Sequence, residues 1–246
     1  MKVSIVYVHP IVMSDGYDPT IEEISGTYDE CARRFVKTYR DFPAGYPHEL
    51  VVVFTGAWAN PEQLAIYENL PIRPMMYPGS GWCSGAHKHA SVYLTSDMAF
   101  YSSNRTYFVR EGWLARLMEA RMKHGYGFYG TMASFQKSKH LRTNFYGLDP
   151  AFFRTTEYQF ESRGDTWKLE HGEWNVSQFH AENFPASKLV TWDGEYSIED
   201  WRKPENAFRR GDQSNLIVRD RHTDIFDRSN DADKAYLTSV TEGLCN

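Results

Sequence analysis

The stretch VSIVYVHPIV, from Val3 to Val12, determines the fold class predicted for this chain. It is a nearly continuous run of β-branched and aromatic residues, which is typical of a parallel strand buried on both faces. A second such run, ELVVVFTG from Glu49 to Gly56, follows an amphipathic segment from Thr27 to Phe42. Strand, helix and strand in this order form the unit of a parallel sheet. The sequence therefore predicts an α/β fold with a mostly parallel central sheet flanked by helices.

Local signals predict further elements around this unit. Thr27, followed by Glu30 three residues later, predicts a helix start with a capping box. Residues Pro61 to Leu70 are predicted as a helix with proline in its first turn. Residues Tyr107 to Gly125 are predicted as an amphipathic helix whose apolar face includes Met122. Beyond this helix turns and aromatic residues dominate, so we expect an irregular C-terminal half.

Composition excludes several classes of protein. The chain has 246 residues and a net charge of −5, so it carries no overall basic footprint for nucleic acid. Cys31, Cys83 and Cys245 are widely separated and odd in number, which favours a reducing, cytoplasmic compartment over a disulfide framework. No segment reaches the length of a membrane span, and the first apolar run is expected to be a core strand rather than a signal peptide.

The stretch VYLTSDMAFYSS, from Val92 to Ser103, contains a lone carboxylate, Asp97, in apolar surroundings. We interpret it as a strand with Asp97 at its carboxyl end, which is the edge where open parallel sheets bind ligands. Mg²⁺ and Mn²⁺ prefer oxygen ligands and bridge them to a diphosphate. Asp97 is therefore a candidate metal ligand, and the structural alternative is a turn cap.

Four segments resemble one enzyme family. They are PGSGWCSGAHKHA (78–90), VYLTSDMAFY (92–101), HLRTNFYGLDPAFFR (140–154) and HGEWNVSQF (171–179). Together they resemble glycosyltransferases of the GT-A fold, particularly bacterial polysaccharide enzymes akin to the rhamnan-synthesis group, over roughly Val3 to Phe179. The glycine-rich segment before the family's metal-binding strand is matched by Gly79, Gly81, Trp82, Gly85 and Ala86. The sequence departs from the family's Asp-x-Asp motif, because Ala99 stands where a second acid is expected, and from another usual acid at Cys83.

The resemblance implies a hexosyl- or pentosyltransferase that moves a sugar from a nucleotide-diphosphate sugar to an acceptor hydroxyl. It implies an inverting reaction assisted by a divalent cation, Mn²⁺ or Mg²⁺. It also implies a single GT-A-like domain over residues 1–246. Residues 1–105 would bind the nucleotide sugar, and residues 106–246 would bind the acceptor and supply a C-terminal metal or phosphate loop. The acceptor is expected to be a glycan or another hydroxyl-bearing molecule, and nucleic acid is not excluded as an acceptor.

The resemblance also implies residue roles. The donor-binding residues are expected to be His9, Pro10, Thr55, Gly81, Gly85, Ala86, Ser96, Asp97 and Arg221. The acceptor-binding residues are expected to be His140, Arg142, Thr143, Asn144 and Trp174. His222 is the first choice to complete the metal shell with Asp97, and Asp220 is the other candidate. Glu173 is the favoured catalytic base, and Glu170, which we expect near the same helical face, is its rival. Asp149 is a third choice for the base.

Three other functions are alternatives to transfer. The missing acid at Ala99 is compatible with a catalytically inactive nucleotide-sugar-binding or scaffold protein. A glycoside or nucleotide-sugar hydrolase would need two carboxylates on opposite sides of a sugar, which adjacent helical positions such as Glu170 and Glu173 do not readily supply. A dinucleotide-dependent dehydrogenase is disfavoured, because no compact Gly-x-Gly-x-x-Gly turn follows the first strand.

Overall fold

The computed structural model describes residues 1–12, 22–23, 26–79, 82–173 and 175–244. The strands within these ranges are β1 (Val3–Pro10), β2 (Glu49–Thr55), β3 (Ile72–Tyr77), β4 (Met98–Ser102), β5 (Tyr107–Phe108), β6 (Tyr129–Gly130), β7 (Ala133–Ser134), β8 (His140–Leu141), β9 (Phe145–Leu148), β10 (Lys188–Val190), β11 (Glu195–Tyr196) and β12 (Val218–Arg219). The helices are α1 (Tyr28–Asp41), α2 (Pro61–Ala65), α3 (Cys83–Tyr93), α4 (Trp113–His124), α5 (Ala151–Thr155), α6 (Arg163–His171), α7 (Val176–Asn183), α8 (Arg221–Arg228) and α9 (Asp231–Thr241).

The main sheet has eight strands in the order β11-β10-β6-β9-β4-β1-β2-β3. Strand β1 pairs in parallel with β2 and β4, and β2 pairs in parallel with β3. Strand β9 is antiparallel to both β4 and β6, β6 is parallel to β10, and β11 is antiparallel to β10. The pairs β5–β12 and β7–β8 lie outside this sheet. The predicted α/β class, with a mostly parallel central sheet flanked by helices and an irregular C-terminal half, is confirmed.

Strand β1 is buried at each of its positions, as its apolar sequence predicts. Ile5 and Tyr7 belong to a core cluster with Phe35 of α1 on one face of the sheet. Val6 and Val8 belong to a second cluster with Ala86 of α3 on the other face. The alternation of strand side chains thus gives the sheet two apolar layers, and each layer is covered by helices.

Local sequence signals set the start of α1 correctly. Thr27 is the N-cap, its side chain accepts from the backbone N–H of Glu30, and the Glu30 carboxylate accepts from the N–H of Thr27. The amphipathic helix predicted from Tyr107 is shorter, because α4 begins only at Trp113. Met122 was predicted on its apolar face and is instead 59% exposed.

The interpretation of Asp97 is wrong in its position along the strand. Val92 lies in the last turn of α3, and β4 begins at Met98, so Asp97 precedes the strand instead of ending it. Met98 is aligned with Val3, the first residue of the parallel strand β1. Asp97 therefore lies at the amino edge of the sheet. Ala99, the expected place of a second acid, is buried inside β4.

Glu170 and Glu173 do not share a helical face. Glu170 lies in the last turn of α6, which ends at His171 with Gly172 as its C-cap residue. The next helix, α7, begins at Val176, so Glu173 lies in the connection between the two helices. Within the described ranges no helix is long and apolar enough to cross a membrane.

Candidate functional site at the carboxyl edge of the sheet

The strand order changes direction between β1 and β4, because β2 and β3 extend the sheet on one side of β1 and β4 lies on the other. In open α/β sheets the crevice at the carboxyl ends of such strands is the usual place for a ligand. Ser102, Ser103 and Asn104 stand at the end of β4. Tyr7 of β1 donates to the carbonyl of Asn104 over 2.8 Å, and the Asn104 amide donates to Tyr7 Oη over 3.2 Å. Hydroxyl and amide groups, rather than carboxylates, therefore follow β4.

Several buried polar atoms near this edge have no hydrogen-bond partner among the described residues. They are Thr55 Oγ1, Asn104 Oδ1, Asn144 Oδ1 and Arg209 Nε. Asn144 belongs to the same edge, because its carbonyl accepts from Ser103 N and from Thr106 Oγ1 over 2.8 and 2.9 Å. Buried polar groups in proteins are nearly always paired, since an unpaired group costs about 1–3 kcal/mol. These atoms are therefore candidate contacts for a polar ligand.

An arginine cluster, formed by Arg142, Arg209, Arg221, Asp220 and His222, lies beside Asn144. Arg142 NH1 is 2.9 Å from Asp220 Oδ2, and both side chains are largely buried. Arg209 donates to His222 Nδ1 over 3.2 Å, and Arg221 Nε lies 3.4 Å from His222 Nε2. Three guanidinium groups thus surround one carboxylate and one imidazole. This excess of positive charge suits an anion such as a diphosphate.

The charges in the arginine cluster shift one another's pKa values. Burial opposes ionisation of Asp220, but Arg142 and the neighbouring backbone N–H groups outweigh it and lower the pKa of Asp220. Burial, with the charge of Arg142, lowers the pKa of His222 to about 3. Burial and the charge of Arg142 lower the pKa of Arg209 to about 10. At neutral pH the imidazole of His222 is therefore uncharged and Arg209 keeps its charge.

A second group, the His-Glu-His cluster, consists of His140 of β8 with Glu170 and His171 of α6. His140 Nε2 is 3.7 Å from Glu170 Oε1, and His171 Nε2 is 3.8 Å from Glu170 Oε2. Glu170 Oε1 also accepts from the backbone N–H of Thr143 over 3.1 Å. Burial lowers the pKa of His140 to about 4, against the opposing effect of Glu170. The sequence predicted His140 and Glu170 as site residues and missed His171.

The predicted metal pair does not fit one ion. Asp97 is exposed, and its carboxylate accepts from the backbone N–H of Lys2 over 2.8 Å at the amino edge. His222 contacts the arginine cluster at the carboxyl edge. Because the five residues of β4 rise about 3.3 Å each, roughly 17 Å separates the two edges. Ligands of Mg²⁺ or Ca²⁺ lie within about 2.6 Å of the ion. Asp97 and His222 cannot share it.

His9 lies near the carboxyl end of β1 but is enclosed. Its Nε2 is 2.9 Å from Asp29 Oδ1 and its Nδ1 is 2.8 Å from the Tyr67 hydroxyl, so both ring nitrogens have protein partners. Burial lowers the pKa of His9. Pro10 and Thr55 are aligned at the ends of β1 and β2. Of these three predicted donor residues, Thr55 offers an unpartnered atom.

The glycine-rich segment packs onto the sheet. A Cβ on Gly85 would lie 2.5 Å from the Tyr77 hydroxyl and 2.9 Å from the carbonyl of Phe160, so close helix packing requires this glycine. Ala86 is buried in the apolar layer. Ser96 is buried beside Asp97 at the amino edge, away from the other predicted donor residues. Gly81 and Trp174 lie outside the described residues.

The predicted acceptor segment is brought to the carboxyl edge. Arg142 joins the arginine cluster, Thr143 contacts Glu170, and Asn144 contacts the residues that follow β4. Glu173 is exposed and makes no hydrogen bond to any described residue. Sequence reasoning missed Asn104 and Arg209, whose roles depend on contacts with residues distant in the chain.

No family model and no curated protein matches the sequence. The chain is similar to HddC from Yersinia pseudotuberculosis, with 12% identity and a TM-score of 0.42 over 65% of this chain and 84% of that one. It is similar to TarS from S. aureus, with 11% identity and a TM-score of 0.45, and spans 42% of that protein. It is also similar to 4-diphosphocytidyl-2C-methyl-D-erythritol synthase from Anaerococcus prevotii, with 14% identity and a TM-score of 0.45 over 68% of this chain and 80% of that one. This likeness assigns no substrate to the chain.

Proposed function

We propose that this chain is a glycosyltransferase that moves a hexosyl or pentosyl group from a nucleotide-diphosphate sugar to an acceptor hydroxyl, with inversion. The observation that carries the proposal is the arginine cluster beside unpartnered polar atoms at the carboxyl edge of a parallel sheet. The sequence resemblance supports the same reaction. A role in cytoplasmic carbohydrate biosynthesis belongs to the proposal, and it is supported by the three widely separated cysteines of the sequence, which favour a reducing compartment.

The departing nucleotide diphosphate is the main electrostatic demand of such a reaction, because negative charge develops on it as the glycosidic bond breaks. Arg142, Arg209 and Arg221 are proposed to hold this charge. Guanidinium groups bind phosphate oxygens through paired N–H donors, and they act most strongly where water is excluded. Thr55 Oγ1 and Asn104 Oδ1, which have no hydrogen-bond partner among the described residues, are proposed to contact the nucleoside or the sugar. The Asp97–His222 ion site does not fit, so no step is assigned to Mn²⁺ or Mg²⁺ there.

The acceptor is proposed to bind along residues 140–144, with Glu173 as the base that takes the proton of its hydroxyl. A base must be within hydrogen-bond reach of that proton, and an exposed carboxylate next to the acceptor segment meets the requirement more readily than Glu170. Glu170 is already bonded to the N–H of Thr143. In-line attack opposite the leaving diphosphate would invert the anomeric centre.

Calorimetry with UDP-, GDP-, dTDP- and CMP-sugars in the presence of a chelator tests donor binding. We expect one nucleotide class to bind, and Arg221→Ala to weaken its affinity at least tenfold. The matched control is Arg73→Ala, because Arg73 lies near the amino end of β3, away from the arginine cluster. Equal weakening by both variants, or no binding of any nucleotide sugar, would overturn the assignment.

Turnover distinguishes a transferase from an inactive binding protein. With the donor that binds, we expect Glu173→Gln to reduce kcat by about 100-fold or more, with little change in donor affinity. Donor binding by the wild type without transfer or hydrolysis, tested over a panel of glycan acceptors, would favour the inactive nucleotide-sugar-binding alternative.

A further inference from the structure

We propose that His140, Glu170 and His171 form a binding site for a divalent transition-metal ion, with Zn²⁺ as the preferred ion and at least one coordination position open. The site is separate from the Asp97–His222 pair predicted from the sequence. It does not rest on the proposed transfer reaction, because its argument uses only the geometry and chemistry of these three side chains.

The spacing within the His-Glu-His cluster is that of ligands around an ion. One ligand atom from each residue lies within 4.8 Å of the other two. The two histidine–carboxylate distances, 3.7 and 3.8 Å, are too long for hydrogen bonds. Ligand atoms about 2.05 Å from a tetrahedral Zn²⁺ lie about 3.4 Å apart, so the ligand atoms need to approach one another by no more than about 1.4 Å to close the shell. The side chains converge without bonding one another directly.

The ligand atoms are already oriented by neighbouring backbone groups. His140 Nδ1 lies 2.8 Å from the carbonyl of Ser138, which can only accept, so Nδ1 carries the proton and Nε2 presents its lone pair toward Glu170. The N–H of Thr143 holds Glu170 Oε1 over 3.1 Å. Metal-binding histidines and carboxylates are typically fixed in this way by a second layer of hydrogen bonds.

His171 supplies an independent observation. Its Nδ1 is buried without a partner in the described residues, and its Nε2 is at 3.8 Å from Glu170. An imidazole with neither nitrogen hydrogen-bonded is unusual in a partly buried position, because an unpaired polar group costs free energy. A metal ion would give a partner to whichever ring nitrogen ligates it, and the other nitrogen would keep the proton.

The donor set selects the ion. Two imidazole nitrogens and one carboxylate match the His₂Glu set of zinc sites that keep a fourth position for water, whereas Mg²⁺ and Ca²⁺ prefer oxygen ligands alone. Three protein ligands leave such an ion open to water or to a hydroxyl-bearing ligand. Arg142, the nearest arginine, is paired with Asp220 at 2.9 Å, which offsets part of its repulsion of a cation at Glu170.

The test is a Co²⁺ titration of the chelator-treated full chain, followed by visible absorption and then by displacement with Zn²⁺. We expect one Co²⁺ per chain, with the intense visible bands of a low-coordinate site that fade when Zn²⁺ is added. Glu170→Gln and His171→Asn should each weaken binding by about 100-fold or more, since both remove a direct ligand. Absence of saturable Co²⁺ uptake by the wild type would overturn the proposal.

His89→Asn is the matched control, because His89 is a partly buried histidine of α3 outside the cluster. It should bind Co²⁺ as the wild type does. Thermal unfolding of each apo variant checks that it is folded, and Zn²⁺ should raise Tm for the wild type and His89→Asn only. If His171→Asn and Glu170→Gln kept wild-type affinity, the proposed ligands would be wrong. Zinc binding without nucleotide-sugar binding would leave this site standing and remove the proposed function.

Discussion

The two edges of the main sheet differ in how their charges are held. At the amino edge Asp97 is exposed, accepts from the backbone N–H of Lys2 and donates its own N–H to the carbonyl of Lys2. At the carboxyl edge Asp220 is buried against Arg142, and two further arginines lie nearby. An exposed carboxylate bound to backbone costs little to keep, whereas a buried one depends on its charged partners.

This difference shows why a carboxylate beside a strand is not by itself a site. Parallel strands all begin at one edge of the sheet and end at the other. A residue just before a strand and a residue just after it therefore lie at opposite edges. Asp97 is one residue before β4, and the residues that reach the carboxyl edge are Ser102, Ser103 and Asn104 at its other end. Whether a residue precedes or follows the strand therefore decides whether it can contact a ligand at the switch point, which lies at the carboxyl ends.

Among the substitutions that test this difference between the edges, Asp220→Asn is expected to have the largest effect on stability. Asparagine is also a good N-cap residue, so the start of α8 is preserved and only the charge is removed. Because Arg142 and Arg209 would then be buried without a counter-charge, we expect the free energy of unfolding to fall by about 3 kcal/mol. Urea denaturation at pH 7 measures the change.

The control for this variant is Asp97→Asn at the other edge. Its carboxylate is exposed, so we expect a loss below about 1 kcal/mol. Similar losses for the two variants would contradict the contrast between the edges.

A smaller effect is expected where α3 packs against the carboxyl end of β3. In Gly85→Ala the added methyl group would clash with the Tyr77 hydroxyl and the carbonyl of Phe160, and we expect a loss of about 1–3 kcal/mol. Gly164→Ala is the control, since its Cβ would meet no atom closer than 3.5 Å and alanine favours the helix by about 0.5–1 kcal/mol. In thermal and urea unfolding, Gly85→Ala should lower the stability of the protein and Gly164→Ala should raise it. A neutral Gly85→Ala would show that this packing yields easily.

The last prediction is a pH dependence at His87, which lies 3.4 Å from the carbonyl of Ser102 at the end of β4; its effect on stability is small near neutral pH and grows as the pH falls. Burial lowers the pKa of His87 to about 3, below the value of about 6.5 in an unfolded chain. The unfolded state therefore takes up the proton first. The free energy of unfolding is therefore unaffected by His87 protonation above about pH 6.5. It falls between about pH 6.5 and pH 3, by up to about 1.4 kcal/mol per pH unit.

Urea denaturation of the wild type and His87→Gln between pH 7 and pH 4 measures this contribution. The glutamine variant should lose less stability as the pH falls, because one of the buried bases is absent. An identical slope for both proteins would mean that His87 is protonated in the folded state.

Much of the fold could be predicted from local pattern. The β-branched runs of β1 and β2 read as doubly buried strands, and the Thr27–Glu30 pair marked the start of α1. These signals work because they depend on neighbours within a few residues, through strand alternation and the unpaired N–H groups of a first helical turn. The predicted boundary between α3 and β4 was wrong, because a short apolar stretch with one polar residue is compatible with the end of a helix or with a strand.

The sequence by itself determined the α/β class and the parallel core, and its resemblance singled out residues 140–144, which reach the carboxyl edge. Only the tertiary structure decided which edge received Asp97, and that Arg142, Arg209, Asp220 and His222 meet in one buried cluster. The same holds for His140 with Glu170 and His171, about thirty residues apart along the chain. Such contacts are fixed by sheet register and helix packing, which cannot be predicted from the spacing of residues along the sequence.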